Sequence, residues 1–387
     1  MSAITTPKPE WMTSDLEMLA DTAARFAERE MLPNDARWRA QKRGDRELWN
    51  KAGAAGLLCA SIPEEYGGGG GDFRHEMVIT QTWARLMAGG FSNSVHSGIV
   101  ANYMLRYATE EQKLKYLPKM ASGEMVAAIA MTEPGAGTDL QAIRTKAVKD
   151  GDDYVINGSK IFITNGYHAD LVVLVCRTGE ERGGKGVSLV LVETANSPGY
   201  RRGQLLDKLG QHTVDTCELF FEDMRVPQSQ LLGTQEGRGF IQLMEELPRE
   251  RLIIAAGGVA TMQRAIAETV AYVKQRSIFG QTLMSMQNTR FKLAECQMKA
   301  TIAESFVNDL VMRSVNGTLD LPTSAIAKCW VSDSVCQVVD ECLQLHGGYG
   351  YMMEYPIARL YADTRVGRIY GGSNEVMKEL IARSMDK

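Results

Sequence analysis

Ala130-Met-Thr-Glu-Pro-Gly-Ala-Gly-Thr-Asp139 marks a change of rhythm in the chain. Before it, apolar residues recur at helical spacing, as in Leu16, Leu19, Ala20, Ala23 and Phe26. After it, the period falls to two and stays there to residue 235. From Gly239 the helical period returns, with Leu252, Ala255, Ala256, Val259, Ile266, Val270 and Val273 on one apolar stripe. Further helices are expected over 288–315 and 323–345. The pattern predicts an α+β fold, mainly α. It comprises an N-terminal helical domain (1–123), a middle β-barrel-like sheet domain (124–235) and a C-terminal four-helix bundle (236–387). No internal repeat and no low-complexity linker interrupts it.

Within the middle zone, Tyr154-Val-Ile-Asn-Gly-Ser-Lys-Ile-Phe-Ile-Thr164 predicts a hairpin turning at Asn157-Gly158. Strands are expected at 171–177, 187–193 and 217–222, with 178–186 as the turn between the first two. The five glycines at 67–71 offer a phosphate cradle or a flexible loop. With no preceding strand and no following Lys-Ser/Thr, a flexible loop is the expectation.

Composition excludes several classes. Of 387 residues, 43 are Lys or Arg and 47 Asp or Glu, a net charge of −4, with no basic block to meet a nucleic acid. The longest glycine-free apolar run, 125–131, falls far short of a membrane span. The first ten residues lack the basic start and apolar stretch of a secretory signal. Seven cysteines (59, 176, 217, 296, 329, 336 and 342) make an odd count with no C-x-x-C pair. Cys329 and Cys336, seven apart, read as two buried thiols on one helix face. A reduced, cytoplasmic protein is the expectation.

Three clusters could carry chemistry. In 130–139, Gly135 and Gly137 permit close backbone approach while Thr132 and Thr138 offer hydroxyls. A plain turn and a loop for a pyrophosphate or flavin edge both fit. Gln344-Leu-His-Gly-Gly-Tyr-Gly-Tyr351 implies a close approach at a cofactor or subunit contact. His346 there has no second ligand at metal-binding spacing, so no metal is expected. In Leu247-Pro-Arg-Glu-Arg-Leu252, Pro248 should kink or start a helix, and Glu250 shares a face with Ile254 and Gly257. Glu250 reads either as a general base of raised pKa or as a solvated helix-start acid paired with Arg249 or Arg251.

Taken together, these clusters resemble the acyl-CoA dehydrogenase family over about Asp15 to Arg383. Met131-Thr-Glu-Pro-Gly-Ala-Gly-Thr-Asp139 matches one family signature. Residues 344–363, with Gly347, Gly348, Gly350, Glu354, Arg359 and Asp363, match the other. Val95-His-Ser-Gly-Ile-Val100, Leu247-Pro-Arg-Glu-Arg-Leu252 and Tyr370-Gly-Gly-Ser-Asn-Glu-Val-Met-Lys-Glu-Leu-Ile-Ala-Arg383 resemble the long-chain subgroup most. Many members carry the catalytic glutamate in a Tyr-Glu-Gly-Thr stretch. The matching stretch here is Tyr370-Gly371-Gly372-Ser373, without it. In the long-chain and isovaleryl subgroups the base lies on the long helix, where Glu250 stands.

The resemblance implies FAD, α,β-dehydrogenation of an acyl-CoA thioester to the trans-2-enoyl-CoA, a homotetramer, and electron delivery to an electron-transfer flavoprotein. It assigns Glu250 as the base. Ile129, Met131, Thr132, Gly137 and Thr138 line the flavin, with Phe162 and Thr164 flanking its ring. Arg276, Phe279 and Gln287 reach FAD from a neighbouring subunit, and Gln344, Gly347, Gly348, Ser373 and Glu375 complete that site. Thr138, Arg251, Tyr370, Gly371 and Gly372 fall beside the substrate. The thioester oxygen is met by a flavin hydroxyl and by the base residue's own backbone N–H. Rival expectations are a branched or terpenoid acyl-CoA substrate, an acyl-CoA oxidase, and a non-catalytic acyl-CoA-binding protein.

Overall fold

The computed structural model describes residues 8–181 and 183–386. Six helices come first: α1 (Ser14–Phe26), α2 (Asp35–Gln41), α3 (Glu47–Ala54), α4 (Phe73–Leu86), α5 (Ala101–Tyr107) and α6 (Glu110–Ser122). Their starts follow from local chemistry. Asp72 with His75, and Thr109 with Gln112, form reciprocal caps at α4 and α6. A wide π-helical run, Ser94–Val100, leads directly into α5.

The middle of the chain is a seven-stranded sheet of β1 (Ala127–Ala130), β2 (Lys146–Asp150), β3 (Asp153–Thr164), β4 (Leu171–Arg177), β5 (Val187–Glu193), β6 (Tyr200–Leu205) and β7 (Thr216–Pro227). It branches at β4, which pairs with β1 and β2 in parallel and with β5 antiparallel. Leu171, Val173 and Val175 pack towards the helices α5 and α6, while Val172, Leu174 and Cys176 pack into the sheet's own core. Burial on both faces explains the unbroken apolar runs.

The rest is helical: α7 (Gly239–Gln275), a two-residue-stranded hairpin of β8 (Ser277–Ile278) and β9 (Gln281–Thr282), α8 (Gln287–Val315), α9 (Leu321–His346), α10 (Pro356–Thr364) and α11 (Asn374–Met385). Helices α7, α8 and α9 pack on one another and α11 lies on α9. Leu16 and Met77, from α1 and α4, join the same core. The architecture is the mainly α, three-zone fold that the periodicity predicts. Among the described residues, no helix is long and apolar enough to cross a membrane.

Four local expectations need correction. Asn157-Gly158 does not turn: β3 runs straight through it. The pair forms an irregularity against β7, where Asn157 exchanges hydrogen bonds with Asp223 at 3.0 and 2.9 Å. The turn lies earlier, at Gly151-Asp152, with Gly151 at φ +63° and Asp150 paired to Asp153. Asp150-Gly151 is the signal that Asn157-Gly158 masked.

The glycine run at 67–71 is not a loose loop either. The N–H groups of Gly67 to Gly71 donate to Glu64, Pro63, Cys59, Ile62 and Ala60 carbonyls. With those donors engaged, the run is no phosphate cradle. A Cβ at Gly68 would fall 2.2 Å from the Ile62 oxygen, so close packing is what requires glycine there. Pro248 does not start a helix but lies inside α7, so of the two readings, kink or start, the start is the one overturned. Of the two helix-face thiols, Cys329 is buried but Cys336 is only half-buried.

Candidate active site

The loop after β1 is pinned from below. Glu133 at its root is buried and accepts from the N–H groups of Arg144 (2.6 Å) and Thr145 (2.9 Å). Lys160 on β3, fully buried, pairs with Glu133 at 2.9 Å and donates to the Met131 carbonyl at 2.8 Å. Burial pushes the Glu133 carboxyl up, but Lys160 and those two N–H groups outweigh it and leave it below the usual range. The Thr132 carbonyl accepts from the Ile161 N–H, tying the loop to β3. The upper face is left open: a Cβ at Gly135 would meet nothing within 4 Å, and at Gly137 only Thr132 at 3.7 Å. Thr138 and Gly137 are exposed; Ile129, Met131 and Thr132 are half-buried. Beside the loop, β3 shifts register between Lys160 and Ile163, and Phe162 adopts φ +62° with 63% of its surface exposed. Such a backbone costs on the order of 1–3 kcal/mol and is kept where surroundings over-determine it. Thr164 follows at the strand end. Open glycine backbone, free hydroxyls and a presented aromatic ring fit the edge of a flavin.

A second constellation sits at the end of the bundle. Arg276, Gln344, Gly347 and Gly348 line a cleft of about 690 Å³, a volume within the range of small-molecule sites. Phe279 caps the β8–β9 hairpin 94% exposed, and Gln287 opens α8 beside the lining residue Asn288. The Arg276 guanidinium lies 5.9 Å from the Tyr349 ring centre. The His346 Nδ1 shares a hydrogen bond with the Cys342 carbonyl and its ring stacks on Tyr272 at 4.3 Å; among the described residues no group of three or more His, Cys, Asp or Glu side chains could hold a metal ion. Gly347 and Gly348 have open Cβ directions, room for the close approach that the sequence implies.

The third constellation surrounds Glu250. It is 7% exposed, inside α7, so the alternative of a solvated helix-start acid is wrong. Its hydrogen-bond partner is neither Arg249 nor Arg251 but Tyr103 on α5, whose hydroxyl donates to Oε1 at 2.8 Å. Burial pushes its carboxyl up to about 7; the Tyr103 bond opposes this, the nearby Glu246 adds to it, and Arg251 opposes it. Arg251, buried, donates from Nε to the Gly371 carbonyl at 3.3 Å. Gly371 and Gly372 form a left-handed turn at φ +66° and +91°. Lys328 holds that turn, donating to the Gly372 carbonyl at 2.7 Å and to Asn374 at 2.9 Å. Ser373 and Glu375 flank it at the start of α11, and Tyr370 stands half exposed before it. Tyr103, Lys328 and Lys160 sit in apolar or mixed patterns that read as core or surface; Glu133 stands inside the signature 131–139, where nothing in the sequence points to its role.

The expectation that the base residue's own N–H meets the thioester oxygen fails on this geometry. Glu250 lies well inside α7, where backbone N–H groups are taken by the carbonyl four residues earlier.

The helical, sheet and helical zones are matched, zone by zone, by the domain models of one oxidoreductase family, the acyl-CoA dehydrogenases. Its N-terminal, middle and C-terminal domain models match residues 13–124, 128–224 and 237–385. The chain is 44% identical over 375 residues to the long-chain specific acyl-CoA dehydrogenase of Sus scrofa mitochondria, covering 96% of this chain and 87% of that one. It superposes on an acyl-CoA dehydrogenase from Geobacillus kaustophilus with a TM-score of 0.95 at 42% identity, covering 98% and 100% of the two chains. A glutaryl-CoA dehydrogenase from Mycobacterium smegmatis in complex with FADH2 gives 0.89 at 26% identity, covering 96% and 95%. The chain belongs to the acyl-CoA dehydrogenase family.

Proposed function

We propose that this enzyme oxidises long-chain acyl-CoA thioesters to trans-2-enoyl-CoA with Glu250 as the base, passing electrons to an electron-transfer flavoprotein. The observation that carries the assignment is the buried, Tyr103-bound carboxylate of Glu250, joined through Arg251 to the glycine turn at 371–372. A carboxyl pushed up to about 7 is a stronger base than an ordinary carboxylate and is ionised, ready to accept a proton, above that pH. Glu250 takes the α-proton of the thioester. FAD is the cofactor and, when bound, supplies the two-electron acceptor for the β-hydrogen as hydride. Charge that develops on the thioester oxygen needs fixed donors. With the Glu250 N–H engaged in α7, we assign that part to the backbone of the 371–372 turn. Arg251 and Lys328 hold the turn from its carbonyl side.

For the cofactor, Ile129, Met131, Thr132, Gly137, Thr138, Phe162 and Thr164 form one wall. Arg276, Phe279, Gln287, Gln344, Gly347 and Gly348, with Ser373 and Glu375, serve it across a homotetramer contact; the exposed Phe279 and the open cleft support that reading. Thr138, Arg251, Tyr370, Gly371 and Gly372 stand beside the substrate. The domain limits 1–123, 124–235 and 236–387 and a cytoplasmic location belong to the same proposal.

Anaerobic bleaching of the flavin by saturated acyl-CoAs of rising length and by branched ones is the test. Fastest bleaching by long straight chains is expected, with electrons then reducing an electron-transfer flavoprotein. A preference for branched chains would overturn the substrate assignment. Peroxide as the main product in air would make the enzyme an oxidase.

A further inference from the structure

We propose that Tyr103 is the positioning residue for the base: its phenol holds Oε1 of Glu250 and leaves Oε2 to receive the α-proton. The inference rests on Glu250 being the base, and it accounts for a motif that the reaction itself leaves unused.

The contact belongs to a built interface between two helices. Tyr103, Arg106 and Tyr107 stand three and four residues apart on α5, facing Glu245, Glu246 and Glu250 on α7. Arg106 pairs with Glu246 at 2.8 Å and Glu245 at 3.1 Å, and the Tyr107 hydroxyl donates to Glu245 at 2.8 Å. The cation and one phenol therefore serve the two outer carboxylates, and the fully buried Tyr103 serves Glu250 alone.

The π-helical run Ser94–Val100 sets the phase that aims Tyr103. Asn102 bridges back to the Ser97 and Gly98 carbonyls at 3.1 Å each. His96 locks the run to its neighbours, accepting from the Ala127 N–H at 3.0 Å and meeting the Met120 carbonyl at 3.0 Å. Gly98 lets it lie against α7, since a Cβ there would stand 2.9 Å from the Ile253 Cδ1. Val95-His-Ser-Gly-Ile-Val100 is thus the device that brings a phenol to the base. π-Bulges of this kind concentrate at functional sites.

The chemistry favours a phenol. A glutamate's terminal torsion is broad, so an unheld carboxylate would swing. A cation at this distance would drop the base's pKa too far for proton abstraction. The Tyr103 hydroxyl stays protonated, because burial and the facing Glu250 push its own ionisation far upward. The groups around Glu250 are Tyr103 from α5, with Arg106 and Tyr107 behind it, and Glu246 and Arg251 from α7. Beyond Arg251 stands Lys328 from α9, and near Arg249 stands Glu76 from α4.

Tyr103→Phe in the FAD-loaded enzyme, assayed with palmitoyl-CoA, is the test. Loss of a donor that stabilises the charged form should move the acid limb of the kcat/KM profile up by about one pH unit. The infrared carboxyl band that Glu250→Gln abolishes should titrate with the same shift, independent of turnover. Above both limbs, flavin reduction should remain about tenfold slow, since the carboxylate is less well placed. An unmoved limb and band, at wild-type rate, would overturn the role of Tyr103 while leaving Glu250 intact. Wild-type flavin reduction by Glu250→Gln would instead overturn the base itself.

Discussion

Replacing Lys160 by methionine is expected to destabilise the enzyme by about 3–5 kcal/mol and to strip it of FAD. The loss follows from what stays behind. Glu133 is buried, and removing one partner of a buried ion pair leaves an uncompensated charge, the costly half of such an interaction. The two N–H groups from Arg144 and Thr145 persist but do not neutralise it. The Met131 carbonyl also loses its donor, so the loop that presents Thr132 and Thr138 loosens at its root. Adding Glu133→Gln should recover most of the stability, because no buried charge then remains, while FAD retention recovers less. Thermal unfolding of the wild-type, single and double variants, with bound FAD measured in each, checks this. A single variant as stable as wild type would show that the pair contributes little.

Moving the base gives the second large effect. Relatives place the glutamate either on the long helix or at the position of Gly371, so Glu250→Gly with Gly371→Glu asks whether the positions are interchangeable here. The structure sets two costs. A Cβ at 371 would stand 2.5 Å from the Ile254 Cδ1, and φ there is +66°. The left-handed backbone alone costs a non-glycine residue about 1–2 kcal/mol. Glu250→Gly alone should lose roughly a hundredfold to ten-thousandfold in flavin reduction, the scale of a general base. The double variant should recover only partly. Adding Ile254→Val removes the offending Cδ1 and should raise the rate about tenfold further. Anaerobic flavin reduction in the series reads this out. No gain from Ile254→Val would mean that contact is not what limits the relocated base.

How far the chain could be read without coordinates depended on how local the cause was. β4 and β5 were legible to the residue because both faces are buried, which writes an uninterrupted apolar run. The long helices α7 to α9 were legible from their stripes. Asn157-Gly158 misled because a turn signal inside a strand can equally mark an irregularity, and only pairing with β7 decides between them. The glycines at 67–71 misled because flexibility and close packing demand the same residue. Glu250 was nominated by its motif, but its burial and its Tyr103 bond arise from α5, 147 positions away in sequence. The pairing of Lys160 with the signature residue Glu133 was invisible for the same reason: alternation places a lysine in a strand, and only the fold turns it inward.

Anaerobic flavin reduction by Glu250→Gln, followed with palmitoyl-CoA, tests the central assignment most directly. The amide keeps the size of the side chain and can still take the Tyr103 hydrogen bond, so fold, FAD content and ligand binding should persist. The proton acceptor is gone, and reduction should slow by roughly a hundredfold to ten-thousandfold. The wild-type kcat/KM should rise through about pH 7, where burial holds the Glu250 carboxyl, and the variant's residual rate should lack that limb. A FAD-loaded, ligand-binding variant that reduces its flavin at the wild-type rate, with the same pH profile, would contradict the account.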